Sequence, residues 1–314
     1  MTEAAVACRL CGGVRVSPLG VIPDSDFFAG RVLADVMRGG RLWQCGSCRS
    51  MFRHPVLSSA HYLDLYANGV AEAWSADPGR QDLAIVREII AHKGSSGRML
   101  DVGCGSGGFL LTLPASVQKF GVEPSIAAGS LAAQLGVAIL GRTPEDLPAQ
   151  ARFDVITLID VIEHVVDPAA LLDAIVPHLA PDGYLIVATG DPGNALWRGI
   201  LRARFWYSHF PEHISFPSAQ FFRIWQHHRG LQPPVVIRTR YRRLPLWRRV
   251  GSLVAQMAYF LSPSGINCIG RTLQWLRRMP RPRRRCFLAG GPGVFTDHQV
   301  VMIQAAQAIR SPAS

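Results

Sequence analysis

The chain has 314 residues, of which 48% are hydrophobic and 18% are charged. This composition supports a sizeable buried core and excludes global disorder, and the length allows one large α/β domain with a small appendage or two modest domains. The net charge of +11 is unevenly distributed, because residues 1–191 carry 14 Lys and Arg against 20 Asp and Glu (−6), whereas residues 192–314 carry 19 Arg against two acids (+17). A positive field of this kind attracts anionic partners.

Two features of the sequence predict a cytoplasmic protein. The first residues, MTEAAVACRLCGG, lack the apolar segment of an export signal. The longest nearly apolar run, Val250 to Leu261, is too short to cross a bilayer.

Four of the seven cysteines form two Cys-x2-Cys pairs, Cys8 with Cys11 and Cys45 with Cys48, separated by 33 residues. Without an export signal, such pairs favour metal thiolates over disulfides. Two pairs complete a closed tetrahedral site, so residues 1–55 are predicted to be a module with a structural zinc ion. A redox pair or four unrelated thiols are weaker alternatives.

Two helices are predicted in residues 56–96, around Ala60–Tyr66 and over Gln81–Lys93. From Arg98 onward, short apolar runs alternate with helical patterns, which predicts a mostly parallel sheet covered by helices on both faces. The predicted strands are MLDVG, KFGVEP, VAIL, FDVITLID, YLIVAT, PVVIRTRY and HQVVMIQAA, and the predicted helices begin at Pro168 and near Ser218. Residues 97–243 and 291–310 would form this domain, with residues 244–290 a basic helical insertion before the last strand.

The sequence LDVGCGSGGF follows the first of these strands and precedes a helix. It contains Gly103, Gly105 and Gly107, and glycines are needed where the chain turns sharply and a ligand approaches its backbone. The same stretch fits the dinucleotide fingerprint, with Glu123 as the ribose-binding acid about twenty residues on. The loop alone therefore does not decide between a dinucleotide and another nucleoside cofactor. Asp101, two positions before the first glycine, suits a cofactor that has a positive amino-acid end and no pyrophosphate.

The fourth strand ends in LIDVIEHVVDP. Together with the glycine loop, GVEPS and GRTPEDLP, this segment resembles the class I S-adenosylmethionine-dependent methyltransferases, in particular the branch with the ubiquinone-biosynthesis O-methyltransferases and many small-molecule and sugar methyltransferases. The resemblance covers roughly residues 80–235. It implies a doubly wound, mostly parallel seven-stranded Rossmann-like sheet.

The resemblance also assigns residues to S-adenosylmethionine. Asp101 and the turn with Gly103, Gly105 and Gly107 would hold its methionine portion, and Glu123 would accept both ribose hydroxyls. Asp160 would lie near the amino group, at the carboxyl end of a central strand. Thr143 to Asp146 would face the adenine.

Glu163 and His164 are the first candidates for the chemistry. A neutral histidine near the methyl group suits proton transfer, because its pKa lies close to operating pH. In the ubiquinone O-methyltransferases, an acid three residues before a Glu-His pair binds a divalent metal, and Asp160, Glu163 and His164 reproduce that spacing. This chain has Asp where the family has Glu, and the pair could instead cap the helix that begins at Pro168.

The segment HFPEHISFPS supplies further candidates, since related methyltransferases commonly line the acceptor pocket with a histidine from this region. We expect His213 rather than His209 to have this role, because the apolar Ile214 and Phe216 follow it and would anchor the segment. The alternative is a surface histidine near a helix start.

The cysteine module resembles the zinc-ribbon-like leader of many bacterial methyltransferases, including sugar C-methyltransferases. The resulting prediction is methylation of a small molecule, sugar or glycan precursor, most simply on a hydroxyl oxygen. An RNA methyltransferase that uses the basic half, and a non-catalytic zinc-containing adapter, are alternatives. The chain has no recognised RNA-binding pattern and no Asn-Pro-Pro-aromatic or Asp-Pro-Pro-aromatic motif.

The predicted insertion has two helices, Leu244–Leu261 and Arg271–Arg278, whose apolar stripe is flanked by arginines, including the run Arg283–Arg285. Trp247 and Trp275 lie at the boundary between charge and apolar surface, as in interfacial helices. This pattern predicts peripheral contact with an anionic membrane. An ordinary hairpin packed on the sheet edge is the alternative.

Overall fold

The computed structural model describes residues 6–70, 79–93, 97–262, 265 and 296–305. Its main sheet has seven strands, which in chain order are β6 (Gly97–Val102), β7 (Val117–Val122), β8 (Ala138–Gly141), β9 (Phe153–Ile159), β10 (Leu179–Gly190), β12 (Val235–Thr239) and β13 (His298–Gln304). The strands that precede and interrupt this series are β1 (Val16–Val21), β2 (Ser25–Phe28), β3 (Arg31–Met37), β4 (Arg41–Cys45), β5 (Met51–His54) and β11 (Ser215–Phe216).

The order across the main sheet is β12-β13-β10-β9-β6-β7-β8. Pairing is parallel from β10 to β8, and β13 runs antiparallel to both β10 and β12. This confirms the predicted doubly wound, mostly parallel seven-stranded sheet. The chain reverses its direction of growth between β6 and β9, and in open sheets of this type ligands bind at the carboxyl ends of the strands at that point.

The helices are α1 (Ser59–Ala67), α2 (Gln81–Lys93), α3 (Ile126–Gln134), α4 (Pro168–Ile175), α5 (Ala219–His227) and α6 (Leu246–Leu261). Four of them begin at a side chain that caps the first turn, since Ser58, Ser125, Asp167 and Ser218 each accept a hydrogen bond from the backbone amide three residues on. The strands β6, β9 and β10 bury apolar residues on both faces, which explains their lack of polar alternation. Leu100, Ile156 and Val187 lie in the core on one face, and Met99, Val155 and Ile186 lie in the core on the other.

The N-terminal module is built from strands, which its sequence did not reveal. Strands β2 and β3 form a hairpin, and β1, β4, β5 and β11 form a second sheet in that order. Strand β11 comes from the segment between β10 and α5 of the main domain, with Ser215 opposite Phe52 and Phe216 opposite Met51. The module and the main domain therefore share a sheet, so the predicted boundary at residue 55 separates sequence segments rather than independent cores.

Side chains from the module hold the segment 208–218. Arg53 is buried and donates to the carbonyl oxygens of Ser208, Phe210 and Pro211. Burial lowers the pKa of Arg53 to about 10, so it remains a cation at neutral pH. The Arg9 guanidinium donates to the Ile214 carbonyl over 2.7 Å. The position of this segment is therefore set by the module.

The predicted insertion is described in part. Its first helix, α6, begins at Leu246 rather than Leu244, because Pro245 occupies the position before the first turn. The predicted helix Arg271–Arg278 and the run Arg283–Arg285 lie outside the described residues. Within the described ranges, every helix is too short or too polar to cross a bilayer.

Candidate functional site

The turn after β6 has the backbone conformation that its glycines predict. Gly103, Gly105 and Gly107 have φ angles of +73°, +54° and +80°, in a region that residues other than glycine rarely adopt. A Cβ atom on Gly103 would lie 2.5 Å from Cγ2 of Val161, so a larger residue would not fit. The turn can thus bring its backbone close to a ligand.

Glu123 follows β7 and lies beside this turn. Its carboxylate accepts hydrogen bonds from the amide of Gly105 (2.7 Å) and from the amide of Ser125 (2.8 Å). The side chain is buried, and burial raises its pKa above the usual value. Glu123 therefore connects two strand ends and presents a fixed carboxylate to the space between them.

Asp101, near the end of β6, is buried, and no cationic side chain among the described residues pairs with it. Its carboxylate accepts a 2.6 Å hydrogen bond from the hydroxyl of Thr157 on β9. Burial raises the pKa of Asp101 to about 7, and the nearby Glu123 acts in the same direction. A positively charged group next to Asp101 would reverse much of that shift.

Asp160 ends β9 and is held by an arginine that the sequence motifs did not indicate. Both carboxylate oxygens of Asp160 accept from the guanidinium of Arg80, which also bonds both oxygens of Asp82. Arg80 lies over the ring of Tyr241 at 4.4 Å. Asp160 has a φ of +52°, a backbone conformation that is unfavourable for residues other than glycine. Such conformations cluster at ligand sites.

These groups surround a cavity of about 450 Å³, a size typical of ligand sites. Asp101, the glycine turn and Glu123 form one end of the wall. The loop that was expected to face an adenine contributes Arg142, Thr143, Pro144 and Glu145. Other lining residues are Tyr62, Tyr66, Arg80, Asp160, His164 and Tyr241.

The three predicted catalytic residues lie close together. Glu163, His164 and His213 each place one donor atom within 4.8 Å of the others. Of the three, His164 lines the cavity, and its Nδ1 is 2.7 Å from the hydroxyl of Tyr66. Burial lowers the pKa of His164 to about 4, so its ring is neutral at pH 7.

His213 packs behind His164, with ring centroids 4.9 Å apart, and is not among the residues that line the described part of the cavity. Its Nδ1 is 2.9 Å from the carbonyl oxygen of Tyr207. Because a carbonyl cannot donate, Nδ1 carries the proton and Nε2 keeps its lone pair. Burial lowers the pKa of His213 well below its usual value. His209 is half-buried, and its Nε2 is 2.8 Å from the carbonyl oxygen of Ala203.

The structure does not bring Asp160, Glu163 and His164 together as a metal site, so that prediction is corrected. Arg80 occupies both oxygens of Asp160. Glu163 instead accepts hydrogen bonds from the hydroxyls of Thr189 and Tyr207, and burial raises its pKa to about 7. Because Arg80 engages both of its oxygens, Asp160 is not available to bind a metal together with Glu163 and His164.

The four cysteines of the N-terminal module converge as predicted. Their sulfur atoms all lie within 4.8 Å of one another, with Cys8 and Cys48 at 3.7 Å and Cys11 and Cys45 at 3.6 Å. A tetrahedral zinc with Zn–S distances of about 2.3 Å requires sulfur atoms about 3.8 Å apart. The donor set and its spacing therefore fit one structural zinc ion, with the zinc itself remaining a proposal.

Comparison with known proteins gives a family. The methyltransferase domain family matches residues 74–234, which is just over half of the chain. Ubiquinone biosynthesis O-methyltransferases of Bradyrhizobium diazoefficiens and Nitrobacter winogradskyi are each 39% identical to this chain over 101 residues. That stretch is 29% of this chain and 39% or 38% of those relatives. The chain thus spans about two fifths of the length of the curated relatives that it matches.

Two solved structures are among those to which this chain is similar. The N-methyltransferase NodS of Bradyrhizobium japonicum, in complex with S-adenosylhomocysteine, is 12% identical with a TM-score of 0.47, covering 79% of this chain and 99% of that one. Phosphoethanolamine N-methyltransferase 2 of Haemonchus contortus is 16% identical with a TM-score of 0.47, covering 82% and 61%. The residues matched by the domain family include the glycine turn, Glu123 and Asp160. The chain belongs to the methyltransferase domain family, within the class I S-adenosylmethionine-dependent methyltransferases.

Proposed function

We propose that the protein is an S-adenosylmethionine-dependent methyltransferase that methylates a hydroxyl oxygen of a small molecule, sugar or glycan precursor. One observation carries the proposal. A single cavity joins the glycine turn and two buried carboxylates, Asp101 and Glu123, to a neutral histidine, His164. A cofactor end and an acceptor end are thus next to each other.

The chain has groups for the ribose and for the positive amino-acid end of the cofactor. Glu123 would accept the ribose hydroxyls, as it already accepts two backbone amides. Asp101, which lacks a cationic partner in the described structure, would pair with the positive amino-acid end. The cofactor supplies an activated methyl group, so the protein mainly has to align donor and acceptor.

At the acceptor end, the chain has to take a proton from the hydroxyl group. His164 lines the cavity and its ring is neutral, so a ring nitrogen can accept that proton, whereas His213 lies one ring further from the cavity. Burial holds the pKa of His164 at about 4, below the near-neutral value expected from the sequence, and the nearby Asp160 acts to raise it. Tyr66 orients the His164 ring through its hydroxyl. We therefore propose His164 as the base, with His213 and Glu163 as positioning residues that pack or bond around it.

The zinc module would affect catalysis by holding the segment around His213 in place. Its strand β5 pairs with β11, and Arg9 and Arg53 fix the carbonyl groups around His213. A zinc ion held by the four cysteines would stabilise that module. Loss of zinc would then disturb the acceptor end more than the ribose site.

The relatives support an oxygen acceptor, since the curated proteins that match this chain carry the name ubiquinone biosynthesis O-methyltransferase. The family match and these relatives favour neither the RNA acceptor nor the non-catalytic adapter.

The experiment has two steps. Calorimetry first measures whether the purified protein binds S-adenosylhomocysteine. The protein is then incubated with methyl-labelled S-adenosylmethionine and panels of phenols, sugar nucleotides and lipid-linked sugars, and products are detected by mass spectrometry, with NMR locating the labelled methyl group. Label on oxygen is expected. Label on carbon or nitrogen would refute the proposed acceptor atom, and failure to bind S-adenosylhomocysteine would refute the proposed function.

A further inference from the structure

Helix α6 exposes its apolar side to the surroundings in the described structure. Five large apolar residues are between 52% and 76% exposed, namely Leu246, Trp247, Val250, Val254 and Leu261. At 3.6 residues per turn, all five fall within an arc of roughly 100° around the helix. They form one stripe, which we call the α6 stripe.

The opposite side of α6 is the one that packs against the protein. Its buried residues are Gln256 and Tyr259, each 2% exposed, and the Tyr259 ring lies 5.1 Å from the ring of His209. Surface helices of globular proteins normally bury the apolar stripe and expose the polar side. In α6 the packed side is itself apolar, because Tyr259 and the partly buried Met257 and Phe260 join a hydrophobic cluster of the protein. The α6 stripe is therefore a second apolar surface, and it stays exposed among the described residues.

The charges around α6 indicate what that partner is. Arg242, Arg243 and Arg248 are exposed at the start of the helix, and Arg204 bonds the Phe260 carbonyl and lies against the Phe260 ring at its end. Between Glu212 and Asp297 the sequence has no acidic residue. An arginine in the first turn is also unfavourable for a helix on its own, because the N-terminal end of the helix dipole is positive.

We propose that α6 binds the surface of an anionic phospholipid membrane, lying in the plane of the interface. The α6 stripe would enter the boundary between headgroups and acyl chains, and the flanking arginines would contact the headgroups. Trp247 lies at the edge of the stripe beside Arg248, which is where interfacial helices place tryptophan. The helix has 16 residues and is therefore suited to lie on a bilayer rather than to cross it.

Vesicle sedimentation with the full-length protein tests the proposal. The protein should pellet with vesicles that contain phosphatidylcholine and phosphatidylglycerol at low salt, and high salt should release it, since salt screens the attraction. Vesicles of phosphatidylcholine alone should retain far less protein. If the protein stays in the supernatant with anionic vesicles at low salt, the proposal is wrong.

Two variants separate the contributions of apolar surface and charge. The stripe variant carries Trp247→Ser, Val250→Ser and Val254→Ser, and should lose vesicle binding. The charge variant carries Arg242→Gln, Arg243→Gln and Arg248→Gln, and should bind roughly 100-fold more weakly, at about fivefold for each arginine near the surface.

Matched controls change equal numbers of exposed apolar residues or arginines elsewhere. One control replaces the exposed Val32, Val36 and Leu135 by serine, and the other replaces the exposed Arg38, Arg41 and Arg223 by glutamine. Both should bind vesicles as the unmodified protein does. Equal loss in a control and its α6 counterpart would overturn the proposal.

A second copy of the chain is the other occupant that the test can detect. Analytical ultracentrifugation that shows a dimer, lost in the stripe variant and accompanied by no vesicle binding, would refute the membrane proposal. Binding of S-adenosylhomocysteine serves as the folding check for every variant. That readout is independent of α6, so failure of the membrane proposal is distinguishable from failure of the proposed function.

Discussion

Replacement of Glu123 by alanine tests the assignment of the cofactor site most directly. If its carboxylate accepts both ribose hydroxyls, the variant loses two charge-assisted hydrogen bonds. At the low end of their usual range these contribute about 1–1.5 kcal/mol each, or about 2–3 kcal/mol in total. We expect the Kd for S-adenosylhomocysteine to rise roughly 30-fold to 150-fold.

The same carboxylate also accepts the amides of Gly105 and Ser125, so part of the loss could come from a disturbed turn. Glu123→Gln keeps one oxygen acceptor for those amides and should still bind the cofactor at least tenfold more weakly. Calorimetry measures all affinities, and thermal unfolding reports whether the turn is disturbed.

Glu145→Gln is the matched control, because Glu145 lines the same cavity from the exposed loop and loses the same charge. Its affinity should stay within about threefold of the unmodified protein, a change below 1 kcal/mol. Unchanged binding in Glu123→Ala, or an equal loss in Glu145→Gln, would show that Glu123 does not hold the ribose.

The remaining predictions concern the metal, the pH dependence and the base. The purified protein should contain about one zinc ion per chain, measured by elemental analysis, and replacement of all four module cysteines by serine should remove it; a zinc content that survives the replacement would contradict the module. Cofactor affinity should rise with pH up to about 7 and then level off, because Asp101 has a pKa of about 7 when buried alone and must ionise to pair with a cation. Calorimetry across neutral pH should find this slope absent in Asp101→Asn; an unchanged slope would assign it to another group, such as Glu163. His164→Ala should lower kcat about 100-fold with little change in cofactor affinity, whereas His213→Phe should lower it less. Steady-state kinetics that show the reverse order would make His213 the base.

Much of the main domain could be predicted from the sequence, because local signals agree with the fold there. Buried parallel strands have apolar sequences, and the turn that follows the first of them needs glycines at positive φ. The sequence alone therefore identifies Gly103, Gly105 and Gly107. The spacing of the two cysteine pairs likewise predicts that their four thiolates form one metal site. The strands of the N-terminal module escaped prediction, since they are short and their pairing partner β11 lies far along the chain.

Only the tertiary structure showed which residues far apart in the sequence are in contact. Arg80 and Asp160 are 80 residues apart in the sequence and form an ion pair. Because Arg80 engages its carboxylate, Asp160 does not bind a metal with Glu163 and His164, although the spacing of these three residues predicts such a site. His213 has the right residue type for a base, but the packing of its segment puts it behind His164. The periodicity of α6 determines that an apolar stripe exists, yet which way the stripe faces depends on the contacts of Tyr259 with the rest of the protein. A sequence pattern fixes the relative positions of side chains along one element, whereas their surroundings depend on the elements that pack against it.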